Sequence, residues 1–421
     1  MGHDDGPRLL IYSQDGLGLG HQRRTTLLAR QFLAAEPDAS VLTICDSPLG
    51  HFFVTGAGHE HLKLPSVVKV GPGSWRPVSL TMSFAEVLAL RKEVIKSTAI
   101  GFSPDVLLVD HMPHGAMGEL VPALEAVERR DVRTVLGLRD ILDAPATTRQ
   151  RWHLEGAFDA VERFYDDVLV YGSNDVFDVA AQYDWPAELE PRLRYCGYVC
   201  APAPRAVGRT VRNRLLRDRP GAALVVAMAG GGADGYPLFE TVLRALPRLD
   251  AGRECVVVVI TGPFLRAAQR NRLKALAAGL PVVLRASVGN SLDYLGAADL
   301  VVAMAGYNTS AEILSLRAKA LLVPRSGPSA EQRLRAKAFA ERGWVHWLEP
   351  EHLEPRRLAE AMERALAAPA PGGVCPPDLG GRERAVAHIL AGRATTATPA
   401  EEVQAGPEEA LPAPVPLASE A

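Results

Sequence analysis

The chain has 421 residues, 48% of them hydrophobic and 23% charged, a globular balance in a chain too long for one ordinary core, so two domains are expected. Formal net charge is only −3, and no uncharged apolar run reaches about 18 residues, which excludes a transmembrane helix. The five cysteines (Cys45, Cys196, Cys200, Cys255, Cys375) are odd in number and mostly set in apolar strands. That usage fits a reduced cytoplasmic protein rather than a disulfide scaffold.

Charge is placed unevenly. Residues 1–199 carry 19 Lys and Arg against 27 Asp and Glu, a net of −8, whereas residues 200–394 carry 27 against 17, a net of +10. The stretch from 395 onward has five Glu and no basic residue. A basic C-terminal half suggests an anionic ligand there. Nucleic acid is not expected, because no nucleic-acid motif or aromatic-basic platform accompanies the charge. The arginines from Arg205 to Arg219 read as a solvated helix face.

The first strand begins within ten residues of Met1, and no signal-peptide stretch precedes it. The start MGHDDG also lacks the hydroxyl residue of a myristoylation signal. Strand-like runs follow at 8–13, 40–45, 105–110, 133–138, 167–172 and 193–199. A second set falls at 222–228, 255–261, 281–286, 299–304, 320–324 and 344–348. Between them lie amphipathic stretches, such as the capping box Ser83-Phe84-Ala85-Glu86 followed by Val87, Leu88, Val94 and Ile95. This alternation predicts an α/β fold of two doubly wound, Rossmann-like domains. The first spans 1–199 and the second 200–394, with the boundary in CAPAPRAVGRT, residues 200–210. Residues 395–421 form a Pro/Ala/Glu-rich tail expected to be disordered.

In open parallel sheets ligands collect at the carboxyl ends of strands, so those residues are the candidates. After the first strand comes GLGLGH, residues 16–21, within the strand-end stretch Asp15–His21. Its G-x-G-x-G spacing is not the dinucleotide fingerprint, although Asp46 closes the second strand and keeps that alternative open. There is no P-loop. His21 is either a polar helix-start residue or a general base on a turn whose Gly18 and Gly20 admit a substrate closely. Asp110, ending DVLLVD, either caps the next segment or orients and polarises His21. His111, His114 and Arg139 lie at neighbouring strand ends as acceptor-side candidates or as surface polar residues.

In the second half, MAGGGADG places Gly230, Gly231 and Gly232 after an apolar strand, either as an anion cradle of backbone N–H groups or as a tight turn. DLVVAMAGYNTSAEIL brings Gly306, Asn308, Thr309 and Ser310 to a second helix start suited to a phosphate. Glu312 either completes a capping box with Thr309 or accepts the vicinal hydroxyls of a ribose. Glu331 and Gln332 open a further helix and either read sugar hydroxyls or give ordinary surface polarity. Cys196 and Cys200 alone supply too few ligands for a structural metal site, and no metal is expected.

Together these stretches resemble the two-domain GT-B glycosyltransferases of family 28, a group that includes the enzyme adding N-acetylglucosamine to lipid I. The chain resembles most closely a set of bacterial glycosyltransferases with unassigned acceptors, over essentially residues 8–392. The specific part is MAGYNTSAEILSLRAKALLVPRSGPSAEQ, which keeps glycine, Thr and Glu at family spacing, then Val323-Pro324 and Gln332. The resemblance implies two domains facing each other across a cleft. It implies that Gly306 to Ser310 and Gly230–Gly232 hold a UDP diphosphate, Glu312 the uridine ribose, the Val288 backbone uracil, and Glu331 with Gln332 the sugar. It also implies that the histidine of the glycine loop lies near the reacting centre. Two departures leave the donor sugar open: Met304 and Ala305 replace a basic residue found in some relatives, and Glu331 stands before Gln332 in place of a second Gln.

The function expected is inverting, metal-independent transfer of a hexose, such as N-acetylglucosamine, from a UDP-sugar to an acceptor hydroxyl. No cofactor is expected beyond the UDP-sugar as co-substrate, and no Asp-x-Asp is present. The alternatives are a UDP-sugar epimerase or hydrolase on the same fold and a non-catalytic UDP-sugar-binding partner. The acceptor is a small molecule or lipid-linked, and the protein is cytoplasmic, either free or peripheral to the inner membrane face. These motifs name neither the acceptor nor the oligomeric state.

Overall fold

The computed structural model describes residues 6–14, 19–49, 56–71, 74–203, 207–249, 254–371 and 374–391. Asp15, Gly18, linker residues 204–206 and the tail at 395–421 lie outside the described residues.

The first half holds β1 (Arg8–Ser13), β2 (Ser40–Cys45), β3 (His59–Lys63), β4 (Val67–Gly71), β5 (Ser74–Pro77), β6 (Val106–Asp110), β7 (Arg133–Arg139), β8 (Asp167–Tyr171) and β9 (Leu193–Tyr195). Seven of these form a sheet in the order β3-β2-β1-β6-β7-β8-β9, parallel throughout, while β4 and β5 make a separate antiparallel hairpin. The second half holds β10 (Ala223–Met228), β11 (Cys255–Ile260), β12 (Val282–Arg285), β13 (Leu300–Ala303), β14 (Ala320–Leu322) and β15 (His346–Trp347). They form a second parallel sheet in the order β12-β11-β10-β13-β14-β15.

Helices cover both faces of each sheet, so the central strands read as unbroken apolar runs such as VLLVD and CVVVVI. The expected capping box is formed: Ser83 accepts from the Glu86 N–H while Glu86 reaches back to the Ser83 N–H (2.8 Å). In each sheet the strand order reverses beside the first strand of the domain. The reversal lies between β1 and β6 in one sheet and between β10 and β13 in the other. Such a switch point opens a crevice at the carboxyl ends, and it fixes where a site can form.

The two domains share one buried apolar cluster, which runs from Leu9, Ile11 and Leu108 through Tyr198 and Val199 to Val226, Tyr307 and Phe339. The last described helix, Gly381–Ala391, packs back on the helix Gly20–Ala35 and on β8, burying Ala385, Val386 and Ile389. Arg133 fixes its end by donating to the His388 and Ile389 carbonyls (2.5 and 2.8 Å). The C-terminal stretch therefore covers the N-terminal sheet, although the boundary between domains is expected at 200. No helix among the described residues is long and apolar enough to cross a membrane.

Candidate functional site

The two switch points face each other across a cleft of about 680 Å³. From the N-terminal side, Gly20, His21, Arg23, Arg24 and Arg139 line it. His21 is the second residue of the helix Gly20–Ala35, immediately beyond the β1 turn. Asp110 closes β6, opposite Ser13 of β1. The parallel register thus brings together two residues 89 apart in sequence, with His21 Nδ1 2.6 Å from Asp110 Oδ2. Asp110 does not cap the segment after it; its carboxylate is spent on His21 and on Arg24, whose Nη2 lies 2.8 and 2.7 Å from the two oxygens. Burial pushes the Asp110 carboxyl upward, but Arg24 and His21 outweigh it and the net shift is downward. An ionised Asp110 accepts from Nδ1–H and leaves Nε2 as the free lone pair of the imidazole.

His111 and Arg139 are not surface polar residues. His111 holds a left-handed backbone (φ 84°) and sets its ring 5.1 Å from that of His21 at a 35° tilt, outside the cleft lining. Burial, with Arg139, His21 and Arg24 nearby, drives its protonation well below the ordinary histidine range. His114 is half-buried. Arg139 sits 4.0 Å from Glu331 of the other domain.

A second buried histidine, His59, bonds Thr43 (2.9 Å) and is pushed down to about 4, by burial first and then by His61 and Arg30. For His59 and His111 the unfolded chain takes up a proton before the folded one does. Their contribution is complete above the ordinary value of about 6.5 and is lost as pH falls through the lowered folded values. Urea unfolding is expected to show a lower midpoint at about pH 5 than at about pH 7.5, with His59→Gln narrowing the gap. An unchanged midpoint would contradict this.

On the C-terminal side, Gly230, Gly231 and Gly232 follow β10, and Gly306, Asn308 and Thr309 follow β13. The glycine turn has a steric reason at one position. A Cβ on Gly232 (φ 88°) would fall 1.9 Å from the Thr261 carbonyl oxygen, while around Gly230 there is open space. Helix Tyr307–Ser315 starts at Gly306 with no side-chain cap, which leaves its first N–H groups at the cleft. The capping box expected from Thr309 to Glu312 is therefore absent. The helix begins too early for it, and the Glu312 carboxylate instead accepts from Arg23 and from Ser291 Oγ (3.4 Å). Burial raises the Glu312 carboxyl above its ordinary range, with Arg23 pulling the other way. Ser310 is buried beneath this turn and does not line the cleft.

Val288, in the loop before the helix Ser291–Ala297, is half-buried and lines the cleft. Glu331 and Gln332 open the helix Glu331–Glu341 and also line it, but both are buried, contrary to surface polarity. Glu331 is held by Arg325 Nη2 (2.9 Å) and by Ser329. Burial alone would raise its carboxyl, yet Arg139 and Arg325 bring the net shift down. Cys196 and Cys200 are buried free thiols, and among the described residues no group of three His, Cys, Asp or Glu is placed for a metal.

Sequence reading named Arg139 but missed Arg23, Arg24 and Arg335 and the interdomain contacts. Arg335 donates to both Asp140 oxygens (2.8 and 2.6 Å) and to the Ala305 carbonyl (2.8 Å). Asp143 accepts from the Ala330 N–H (2.8 Å), and Asn308 donates to the Gly20 carbonyl (2.9 Å). The one available signal was Asp140 at the end of β7, the strand position where site residues collect.

Residues 225–370 match the glycosyltransferase family 28 C-terminal domain. The matched segment runs from within β10 to beyond β15 and includes the cleft residues Gly230 to Gly232, Val288, Gly306, Glu312, Glu331 and Gln332. Over 182 residues the chain is 31% identical to a UDP-N-acetylglucosamine–N-acetylmuramyl-(pentapeptide) pyrophosphoryl-undecaprenol N-acetylglucosamine transferase of Verminephrobacter eiseniae, covering 40% of this chain and 49% of that protein. The chain spans about half the length of the curated relatives it matches. Across 92% of its length it superposes on the calicheamicin glycosyltransferase CalG4 (94% of that chain, TM-score 0.55, 16% identity). Across 91% it superposes on MurG of Acinetobacter baumannii (99% of that chain, TM-score 0.54, 16% identity). At such identities the likeness is one of fold, and the fold is GT-B.

Proposed function

We propose that the protein transfers a hexosyl group from a UDP-sugar to an acceptor hydroxyl with inversion at the anomeric carbon. The observation that carries this reading is the opposition of an Asp-held imidazole on one domain to uncapped helix and glycine-turn N–H groups on the other. The diphosphate would lie against Gly306 to Thr309 and the Gly230–Gly232 turn, where N–H groups and the helix dipole favour anions. Glu312 would take the ribose hydroxyls in exchange for Arg23, Val288 would offer its backbone to uracil, and Glu331 with Gln332 would take the sugar. The acceptor would enter beside His21, Gly20 and Arg139.

On this reading the acceptor hydroxyl gives its proton to His21 Nε2 as its oxygen bonds to the anomeric carbon. The bond from that carbon to the β-phosphate oxygen breaks, and UDP leaves with the electron pair. Developing charge on UDP meets N–H groups already in place. Asp110 stays ionised and stabilises the imidazolium.

Calorimetric titration with UDP tests the donor half of the site. The wild-type protein is expected to bind, His21→Ala to bind equally well, and Glu312→Ala to bind about tenfold or more weakly, the loss of one charge-assisted hydrogen-bond acceptor. Equal binding by Glu312→Ala would remove that residue from the donor site.

A further inference from the structure

We propose that Arg24 and Tyr307 are positioning residues for His21, through which docking of the C-terminal domain sets the geometry of the base. The inference rests on the transferase reading above, and it begins from a guanidinium that the reaction itself does not use. Arg24 lies three residues after His21 on one face of the same helix, and it is fully buried. It grips both Asp110 oxygens, and its Nη2 also lies 3.0 Å from His21 Nδ1. A guanidinium only donates, so with Nδ1–H given to Asp110 Oδ2 its approach to Nδ1 is a close contact and no hydrogen bond; by holding Asp110 ionised it keeps that carboxylate as the acceptor for Nδ1–H. Arg24 thereby fixes which imidazole nitrogen keeps its lone pair.

What holds Arg24 comes from both domains. Its guanidinium carbon lies 5.2 Å from the Tyr171 ring of β8 and 5.2 Å from the Tyr307 ring. Tyr307 is the first residue of the helix whose N-terminus lines the cleft. The Arg335 guanidinium, which binds Asp140, lies 5.8 Å from the same ring. The Tyr307 hydroxyl accepts from the Val199 N–H (2.8 Å), which sets the ring angle. Tyr307 is thus shared by two buried guanidiniums, each bound to a carboxylate of the N-terminal domain. Cation–π attraction is strongest at such desolvated sites. Moving the helix start away would free Arg24 and, with it, Asp110 and His21.

A merely structural role would lower activity whether or not His21 is present, and a double-mutant cycle separates the two cases. Tyr307→Leu and Arg24→Met are each made in the wild-type and His21→Ala backgrounds, with Tyr307→Phe as the ring-retaining control. In the wild-type background each is expected to lower kcat by about tenfold or more with donor KM little changed, and to lower it no further beside His21→Ala. Tyr307→Phe is expected to keep most of the activity.

The imidazole nitrogens of His21, read by NMR in the free protein, give a measure that needs no turnover. The charged and titratable groups facing this ring are Asp110, Arg24, His111 and, behind them, Arg139. Arg24→Met removes the group that fixes Asp110, so the His21 Nδ1–H proton resonance is expected to shift or broaden relative to wild type. Equal losses in both backgrounds, or an unchanged Nδ1–H resonance, would overturn the proposal. Should Arg24→Met not fold, Tyr307→Leu, which removes no charge, decides alone. Should no acceptor support turnover, the transferase reading fails and the NMR result still decides this one.

Discussion

His21→Ala is expected to lower kcat by about 10²–10⁴-fold, the usual worth of a general base, and to leave donor KM nearly unchanged. The expectation follows from geometry. Nδ1 is committed to Asp110 at 2.6 Å, Asp110 is fully buried, and His21 itself lines the cleft. Asp110→Asn is expected to approach the same loss, because the new amide also donates and turns the imidazole to the wrong tautomer. Steady-state kinetics on both variants check this, and full activity in His21→Ala would end the assignment.

The second large effect is on stability. Asp140→Ala is expected to lower the unfolding free energy by about 3–5 kcal/mol, because it strands the Arg335 guanidinium in the interior. Asp140 and Arg335 are both buried, their two hydrogen bonds join the domains, and Arg335 otherwise donates to the neutral Ala305 carbonyl. Replacing both, as Asp140→Leu with Arg335→Met, is expected to recover most of the loss, since no charge is then left unpaired. Urea unfolding followed by tryptophan fluorescence measures both variants. A single variant within about 0.5 kcal/mol of wild type would contradict the role given to this pair.

The frame of the molecule was legible because its strands are buried on both faces. Runs such as LVVAM and CVVVVI announce themselves, and twelve of the expected strands coincide with β1, β2 and β6 to β15 to within a few residues. The strands not expected are β3, HEHLK, and the hairpin β4–β5. β3 is an edge strand with polar residues, so it shows neither an apolar run nor a clean alternation. The pairing of His21 with Asp110 was open to reading because both lie at strand ends, where parallel topology collects side chains.

The arginines were not open to reading in that way. Arg23, Arg24 and Arg335 sit in helices whose sequences, QRRTT and RLRAK, look solvated until another domain covers them. Which carboxylate Arg23 and Arg335 meet depends on how two sheets dock, and Arg24 meets Asp110 only through the parallel register of β1 and β6; no local pattern records either. Glu312 and Glu331 were seen as candidates, and so was Arg139, but the pairing of Glu312 with Arg23 and of Glu331 with Arg139 and Arg325 was not. In this structure those cations hold both carboxylates, and on the proposed reading a donor would exchange with them.

The central claim is that a sugar passes from UDP to a separate acceptor. It is tested most directly by incubating the protein with isotope-labelled UDP-hexoses and an acceptor extract, then following the label by mass spectrometry. The account predicts labelled sugar in a new acceptor product together with released UDP, and neither with His21→Ala. Labelled UDP-sugar left intact, isomerised, or hydrolysed to free sugar whether or not acceptor is added would contradict it.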